Sequence, residues 1–437
     1  SVPTLEETQW GPKDKKPSTE IRPFKIDVIQ DLKERLERRR PLPAPLENVK
    51  WTYGISSKYL DAIVDYWKNK YNWTERQKLL NKYPQFMTNI QGLNIHYYHV
   101  KPTATRVNGR DLKVVPLLIV HGWPGSVVEF QKLIPMLTTP TPNADFVFEV
   151  IAPSLPGYGF SDAAVRPGMN PAQIALLFKN LMKRIGFEKF YVQGGDWGAA
   201  IVTNIAILYP ENVIGLHSNM CSVMTMSTHF WKLIGSYFPS LVVENEHYSK
   251  VYPLKEHYSH VLEESGYFHL QATKPDTLGV ALSSSPEGLA AYILEKFSTW
   301  TNKAYKQRED GGLLEKFTMD ELLDNVMIYW VTNSITTSTR LYSEFVHHLY
   351  RSLNLDYMPV KRPTACALFP NELLYTPKSL LPPKYVNLIQ TNDIERGGHF
   401  AAFEEPGLMA KDIISFVEKV EKMAVEDGKN KKDLNIS

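Results

Sequence analysis

The sequence predicts an α/β fold in which a mostly parallel sheet is interrupted by an inserted helical lid. From Gln91 onwards, short apolar strands alternate with helical stretches, which is typical of a parallel sheet with helices on both faces. From Met220 to about Asn354 the strand pattern lapses, and the sequence becomes helical and rich in Tyr, His, Phe and Trp. Sheet-like sequence then returns, so this helical part is expected to be an insertion.

The composition is that of a globular protein without a strongly charged partner. Of the 437 residues, 43% are hydrophobic and 22% are charged, and the net charge is +2. Basic residues are offset nearly one for one by acidic residues, so nothing indicates nucleic-acid binding. No apolar run approaches the ~18 to 20 residues of a membrane helix, and the folded chain is therefore expected to be soluble.

The chain has two cysteines, Cys221 and Cys366, which are far apart in the sequence and form no CxxC pattern. This spacing predicts neither a disulfide framework nor a zinc site. The natural inference is a reducing compartment.

Residues 1–90 are expected to form a meander that packs on the core. The segment from Ile26 to Arg40 has apolar residues on one helical face and is stopped by Pro41, so it is predicted to be a helix. A second amphipathic helix is predicted from Tyr53 to Trp73.

The first part of the core, residues 91–220, contains the apolar segments LNIHYYHV, VVPLLIVHG and FVFEVIAPSLPGYGFSD, and a helix predicted from Pro171 to Arg184. The lid is assigned to residues 221–354. The second part, residues 355–437, contains PTACALFPNELL and KYVNLIQTNDIERGGHF, followed by a helix from Leu408 to Met423. The tail after Ala424 is expected to be frayed.

Residues 190–209, FYVQGGDWGAAIVTNIAILY, are predicted to form a strand, a sharp turn and a helix. In the nucleophile elbow of an α/β-hydrolase, small residues lie two before and two after the nucleophile because the turn is strained. Gly194 and Gly198 hold those positions, and the residue between them is Asp196. A turn in which Asp196 merely caps the helix would also fit this segment. If the elbow is real, the nucleophile is a carboxylate.

The motif HGWPGS, from His121 to Ser126, ends another apolar strand. An α/β-hydrolase takes part of its oxyanion hole from the loop in this position and part from the residue after the nucleophile. The predicted donors are the backbone N–H groups of Trp123 and Trp197. The sequence leaves open whether Pro124 is cis.

His399 lies in RGGHFAAFEEP, after the last predicted strand and before the last helix. The order of nucleophile, acid and histidine is that of an α/β-hydrolase triad. Glu372 and Asp393 each follow a predicted strand, and either could orient the imidazole.

A carboxylate nucleophile suits attack on an sp³ carbon that bears a leaving group. The product is an alkyl ester of the enzyme, which a histidine-activated water hydrolyses. Epoxide opening and dehalogenation can both proceed by this two-step route. An epoxide oxygen leaves as an alkoxide and needs an acid, and phenols with a pKa near ~10 suit that task.

The motifs HGWPGS, PGYGFSD, QGGDWG, ESGYFHLQATKPDT, AAYILEKFSTWTN, PNELL and RGGHFAAFEEP resemble those of the microsomal epoxide hydrolase family. Within this family they are most similar to the insect juvenile hormone epoxide hydrolases. The resemblance runs from Trp10 to about Val420. It implies an α/β-hydrolase fold and a cofactor-independent epoxide hydrolase that needs no metal and converts a lipophilic epoxide, juvenile hormone being the expected substrate, to the diol.

The resemblance also implies roles for individual residues. Asp196 would be the nucleophile, His399 the base, and Glu372 rather than Asp393 its orienting acid. Tyr267 and Tyr342 in the lid would hold and protonate the epoxide oxygen.

Relatives carry an N-terminal membrane anchor, which implies association with the endoplasmic reticulum membrane, with the catalytic domain facing the cytoplasm. Two alternative functions remain at this stage. One is a haloalkane dehalogenase in which Trp197 donates to halide, and the other is a non-catalytic protein that binds a hydrophobic hormone.

Overall fold

The chain folds around one large twisted sheet in the computed structural model, which describes residues 1–28 and 32–434. The strands are β1 (Ile21–Phe24), β2 (Gln85–Ile90), β3 (Leu93–Val100), β4 (Arg106–Val107), β5 (Arg110–Asp111), β6 (Lys113–Val120), β7 (Phe146–Pro153), β8 (Phe190–Gly194), β9 (Val213–Ser218), β10 (Thr364–Leu368) and β11 (Leu388–Asp393). In the described ranges, nine of these strands form the main sheet in the order β1-β2-β3-β7-β6-β8-β9-β10-β11, and β4 pairs with β5 in a separate hairpin.

The α-helices cover both faces of the sheet and build the lid. They are α1 (Leu32–Glu37), α2 (Ser57–Asn69), α3 (Trp73–Leu80), α4 (Leu133–Thr138), α5 (Pro171–Ile185), α6 (Trp197–Leu208), α7 (Met226–Gly235), α8 (Leu254–Glu264), α9 (Gly266–Thr273), α10 (Pro275–Ser284), α11 (Pro286–Thr299), α12 (Met319–Val331), α13 (Ile335–Val346), α14 (His348–Arg351), α15 (Ala401–Glu404) and α16 (Pro406–Leu434). Across the described residues, no helix is long and apolar enough to cross a membrane.

Most of the sheet is parallel, as the sequence predicts. Strands β7, β6, β8, β9, β10 and β11 pair in parallel, whereas β1, β2 and β3 add an antiparallel edge. Val120 at the end of β6 is in register with Gly194 at the end of β8. The loops that follow these two strands therefore emerge side by side at the carboxyl edge, where open α/β sheets place their sites.

Helices α7 to α14 lie between β9 and β10 in the chain, and β9 and β10 are neighbours in the sheet. The insertion thus leaves the sheet after one strand and returns to the strand beside it. The limits of the meander, the core parts and the lid that the sequence analysis assigns stay a prediction.

The first predicted helix is shorter than its hydrophobic pattern suggests. The helix begins at Leu32, and residues 29–31 lie outside the described part of the chain. Before that gap, the backbone N–H of Ile26 donates to the Asn81 side chain at 2.9 Å, and that of Val28 donates to Gln77 at 2.8 Å. Because these N–H groups bond to side chains at the C-terminal end of α3, the expectation of a helix from Ile26 is wrong. The second predicted helix is present as α2.

The expectation that the chain frays after Ala424 is also wrong, because the chain stays helical up to Leu434. Helix α16 starts at Pro406 and continues to Leu434. Its last part contains Lys, Glu, Asp and Asn but no proline, so nothing interrupts the helical hydrogen bonds.

Cys221 and Cys366 form a disulfide, which corrects the inference drawn from their spacing. They are 145 residues apart in the chain, but their Cα atoms are 5.8 Å apart. Cys366 lies in β10 opposite Ser218 of β9, and Cys221 follows β9 directly. The return of the chain to the neighbouring strand brings the two thiols together, and sequence spacing cannot show this. Since disulfides persist in oxidising compartments, the inference of a reducing compartment loses its basis.

Candidate active site

Asp196 lies at the sharp turn between β8 and α6. Its backbone has φ 50° and ψ −130°, a conformation that side chains rarely adopt and that is typical of functional sites. A Cβ on Gly194 would lie 2.4 Å from the carbonyl carbon of Gly198, and one on Gly198 would lie 1.9 Å from the carbonyl oxygen of Val120. Only glycines allow this turn to close, which is the reason for the spacing seen in the sequence.

The carboxylate of Asp196 is held at both oxygens. Its Oδ1 accepts a hydrogen bond from the backbone N–H of Trp123 at 2.8 Å, and its Oδ2 lies 2.9 Å from Nε2 of His399. A Cβ on Gly122 would lie 2.2 Å from Oδ1, so glycine is required for this approach. Trp197 is the first residue of α6, where backbone N–H groups have no partner within the helix. The peptide bond between Trp123 and Pro124 is cis.

His399 lies between two carboxylates. Its Nδ1 is 2.5 Å from Oε1 of Glu372, and the side chains of both residues are almost fully buried. Asp393, the other candidate acid, instead pairs with Lys378 and has an oxygen 3.3 Å from His247. Of the two acids, the fold brings Glu372 and not Asp393 to His399.

The two carboxylates determine the charge of the imidazole. Burial by itself would lower the pKa of His399, but Glu372 and then Asp196 raise this pKa well above its usual value. The resting site therefore holds an imidazolium that donates to both carboxylates.

Tyr267 on α9 and Tyr342 on α13 lie near Asp196, on the lid side. The Tyr267 ring stacks on Trp123 at 5.6 Å between centroids, and the Tyr342 ring meets the edge of Trp197 at 4.8 Å. The two tyrosine rings are 5.8 Å apart. Burial and the nearby Asp196 raise the pKa of both phenols, so both hydroxyls keep their protons at neutral pH.

Comparison with known proteins identifies the family of this site. Residues 21–130 match the family described as epoxide hydrolase N terminus, and residues 115–352 match the alpha/beta hydrolase fold. Juvenile hormone epoxide hydrolase 1 of Ctenocephalides felis is 53% identical, covering 98% of this chain and 93% of that protein. The chain belongs to the epoxide hydrolase family. Epoxide hydrolase 1 of Oryctolagus cuniculus is 46% identical over 96% of this chain and 94% of its own length.

A solved structure supports the same assignment. The crystal structure of juvenile hormone epoxide hydrolase from the silkworm Bombyx mori superposes with a TM-score of 0.94 at 49% identity, covering 96% of this chain and all of that chain. The α/β-hydrolase fold expected from the elbow is confirmed. The protein is thus an enzyme that adds water to an epoxide.

Two residues that support His399 in this epoxide hydrolase were missed by the sequence analysis. The buried carboxyl of Glu404 accepts the backbone N–H groups of Gly398 at 2.9 Å and Phe400 at 2.8 Å, on either side of the histidine. The backbone carbonyl of Trp300 accepts the N–H of His399 at 3.0 Å, and its ring lies 5.0 Å from the imidazole. Glu404 lies within the motif RGGHFAAFEEP, but two adjacent glutamates end this motif and the sequence gives no reason to choose between them.

Two clusters in the described part of the chain have the composition of a metal site, one of His260, Glu263 and Glu264 and one that includes Asp393. Ligand atoms of Glu244, Glu246, His247 and Asp393 lie within 4.8 Å of one another. The pairing of Asp393 with Lys378 neutralises part of the charge that a cation would need, and Glu244 and Glu246 are exposed.

Proposed function

We propose that the enzyme opens its epoxide by attack of Asp196 and then hydrolyses the resulting ester with His399. The observation that carries this proposal is the Asp196 carboxylate held between the N–H of Trp123 and the imidazole of His399. A carboxylate that only capped helix α6 would need neither partner. In this arrangement the proposed nucleophile lies next to the base that would activate water to hydrolyse its ester.

In the first step, Oδ2 of Asp196 attacks an epoxide carbon, and the bond between that carbon and the epoxide oxygen breaks. The leaving oxygen takes a proton from Tyr267 or Tyr342. Two protonated phenols beside the carboxylate support this role, because a developing alkoxide needs a donor. The product is an alkyl ester of Asp196 whose carbonyl oxygen, Oδ1, stays on the N–H of Trp123.

In the second step, a water attacks the carboxyl carbon of Asp196 and the diol leaves. Formation of the ester removes one of the two negative charges beside His399, so the pKa of the imidazole falls and its Nε2 proton passes to the phenolate that the first step left. Neutral His399 then takes a proton from the water while Glu372 keeps Nδ1–H in place. The N–H groups of Trp123 and Trp197 stabilise the charge on Oδ1, and each such donor contributes on the order of 10²-fold in rate.

The proposed substrate is juvenile hormone, a lipophilic terpenoid epoxide. The relatives in C. felis and B. mori are named for this hormone, and the relative in O. cuniculus is not. The aromatic surroundings of the nucleophile also suit an apolar epoxide, since Trp123, Trp197, Phe268 and both lid tyrosines are in ring contact.

We place the enzyme at the endoplasmic reticulum membrane, on the basis of its similarity to the microsomal family. The disulfide between Cys221 and Cys366 favours the luminal face over the cytoplasmic face, because the lumen keeps disulfides oxidised. Protease protection of the enzyme in intact microsomes would support this orientation, and free access of protease would contradict it.

The covalent step is tested by a single turnover of unlabelled enzyme in heavy-oxygen water. Water attacks the carboxyl carbon, so the first diol inherits an oxygen from Asp196 and carries no label, while the label appears in Asp196. Later turnovers place label in the diol. Label in the diol from the first turnover would show direct hydration and reduce Asp196 to a general base.

The substrate is tested by comparing a terpenoid epoxide ester with a simple aryl epoxide. The terpenoid ester is expected to have the higher kcat/KM. A preference for the aryl epoxide would instead indicate a role in xenobiotic metabolism.

A further inference from the structure

A third carboxyl group, Glu129, lies close to the nucleophile and has no part in the steps above. It follows HGWPGS in a short 3-10 turn, Val127–Phe130, and its side chain is partly buried, with Oε2 shielded from solvent. Its Oε2 has no hydrogen-bond partner among residues 1–28 and 32–434. A buried carboxyl oxygen without a partner is costly, so its presence calls for an explanation.

Glu129 lines a small cavity behind the reacting groups. The cavity offers about 20 Å³ to water-sized molecules, which is room for one water. Its other polar side chains include those of Asp196, His399, His121, Gln193 and Asn219. One cavity thus contains the nucleophile, the base and a carboxyl group with a free oxygen.

The second step determines which contacts a hydrolytic water in this cavity must make. One hydrogen must point to Nε2 of His399, and a lone pair must point to the carboxyl carbon of Asp196. The second hydrogen then requires an acceptor. Burial raises the pKa of Glu129 to about 8, although His399 lowers this pKa, and the carboxyl group offers an acceptor oxygen in either protonation state.

We propose that Glu129 is a further catalytic residue, which binds the hydrolytic water and aims it at the ester of Asp196. The proposal rests on the covalent mechanism described above. The water donates one hydrogen to His399 and the other to a carboxyl oxygen of Glu129. Attack forms a bond from the water oxygen to Cγ of Asp196 while one water proton goes to His399. The bond from Cγ to the diol oxygen then breaks as that oxygen takes the proton from His399, and the remaining acid proton of Asp196 passes to His399, which restores the resting ion pair.

The test separates the two half-reactions in a stopped-flow single turnover. Glu129→Leu removes both oxygens and keeps a side chain of similar size. Ring opening should stay within about twofold of wild type, while ester hydrolysis should fall about tenfold or more, the effect of one lost hydrogen bond. Glu129→Gln keeps one acceptor oxygen, so its hydrolysis rate should lie between those of Glu129→Leu and wild type.

Two further variants serve as controls for this experiment. His399→Gln, which lacks the base, should accumulate the ester fully. Glu149→Leu removes a carboxyl that pairs with His99 and does not line the cavity, so it should leave both half-reactions unchanged.

If Glu129→Leu does not fold, Ala402→Val provides an independent route. Ala402 lines the same cavity, and the larger side chain should displace the water and slow hydrolysis alone. Hydrolysis at the wild-type rate in either variant, or an equal loss in both half-reactions, would overturn the proposal. A wild-type enzyme that forms no ester would instead overturn the covalent mechanism.

Discussion

At the scale of single residues, the candidate active site is built around His399 and its two carboxylate partners, and the proposed mechanism changes the charge of one of them. His399 contacts Asp196 through Nε2 and Glu372 through Nδ1, and these two carboxylates hold its proton. The acidity of this proton therefore depends on whether Asp196 is a carboxylate or an ester. In the proposed mechanism, His399 becomes available as a base only after Asp196 has reacted, so it does not compete with ring opening.

The pairing of His399 can be measured directly. In Asp196→Asn the pKa of His399 should fall, because one of the two charges that raise it is gone. In wild type, the stability that this raised pKa contributes is fully present below about pH 6.5 and is lost as the pH rises through the raised pKa. Titration of the histidine ring by NMR in both proteins tests the shift, and an unchanged pKa would contradict it.

The choice between the two candidate acids leads to a second prediction. Glu372→Gln should slow ester hydrolysis by about 10²-fold or more, because it leaves the imidazole without its carboxylate partner. Asp393→Asn should have little effect, since Asp393 pairs with Lys378 outside the site. Single-turnover rates of both variants provide the comparison, and the reverse ranking would disprove the assignment of Glu372.

At the scale of secondary-structure elements, the sheet edge and the lid supply different residues of the candidate active site. The loops after β6, β8, β10 and β11 supply Trp123, Asp196, Glu372 and His399, whereas helices α9 and α13 supply the two tyrosines. In the proposed mechanism, the sheet edge thus positions the groups that form and hydrolyse the ester, and the lid supplies the acid that opens the ring.

Substitution of the lid tyrosines tests this division. Tyr267→Phe or Tyr342→Phe alone should slow ring opening by about tenfold, since the other hydroxyl still reaches the oxygen. The double variant should lose more than about 10²-fold and up to about 10⁴-fold, which exceeds the product of the two single effects because both hydroxyls serve one shared oxygen. Rates of epoxide consumption in a single turnover measure all three variants. A double variant with nearly wild-type ring opening would mean that the acid lies elsewhere.

At the scale of the whole molecule, the disulfide closes the loop that contains the lid. Cys221 follows β9 and Cys366 lies in β10, so the bond ties the two ends of the insertion to neighbouring strands. Cross-linking a loop of this length restricts the unfolded chain and stabilises the native state.

The effect of the disulfide is measurable by thermal unfolding. Replacing both cysteines by serine should cost about 2–4 kcal/mol of stability and lower the melting temperature. A reductant should lower the melting temperature of wild type towards that of the double variant and leave the double variant itself unchanged. Equal melting temperatures of oxidised wild type and the double variant would contradict the prediction.

The local sequence predicts several strands of this enzyme, its elbow and the type of its chemistry. Strands such as β6 and β8 are recognisable because they are short, apolar and bounded by glycine, and the pair Gly194 and Gly198 marks the elbow because only glycine fits there. The carboxylate at Asp196 then defines the class of chemistry, and the resemblance to a known family supplied roles for His399 and the tyrosines.

Contacts that depend on long-range packing could not be predicted from the local sequence. The sequence by itself left Glu372 and Asp393 equivalent, because both follow strands, and only the paths of the loops after β10 and β11 bring one of them to His399. The bond between Cys221 and Cys366 and the shared cavity of Glu129 and Asp196 arise in the same way. In each case the partners are 27 to 145 residues apart, and the order of strands in the sheet, which no local pattern encodes, determines whether they meet.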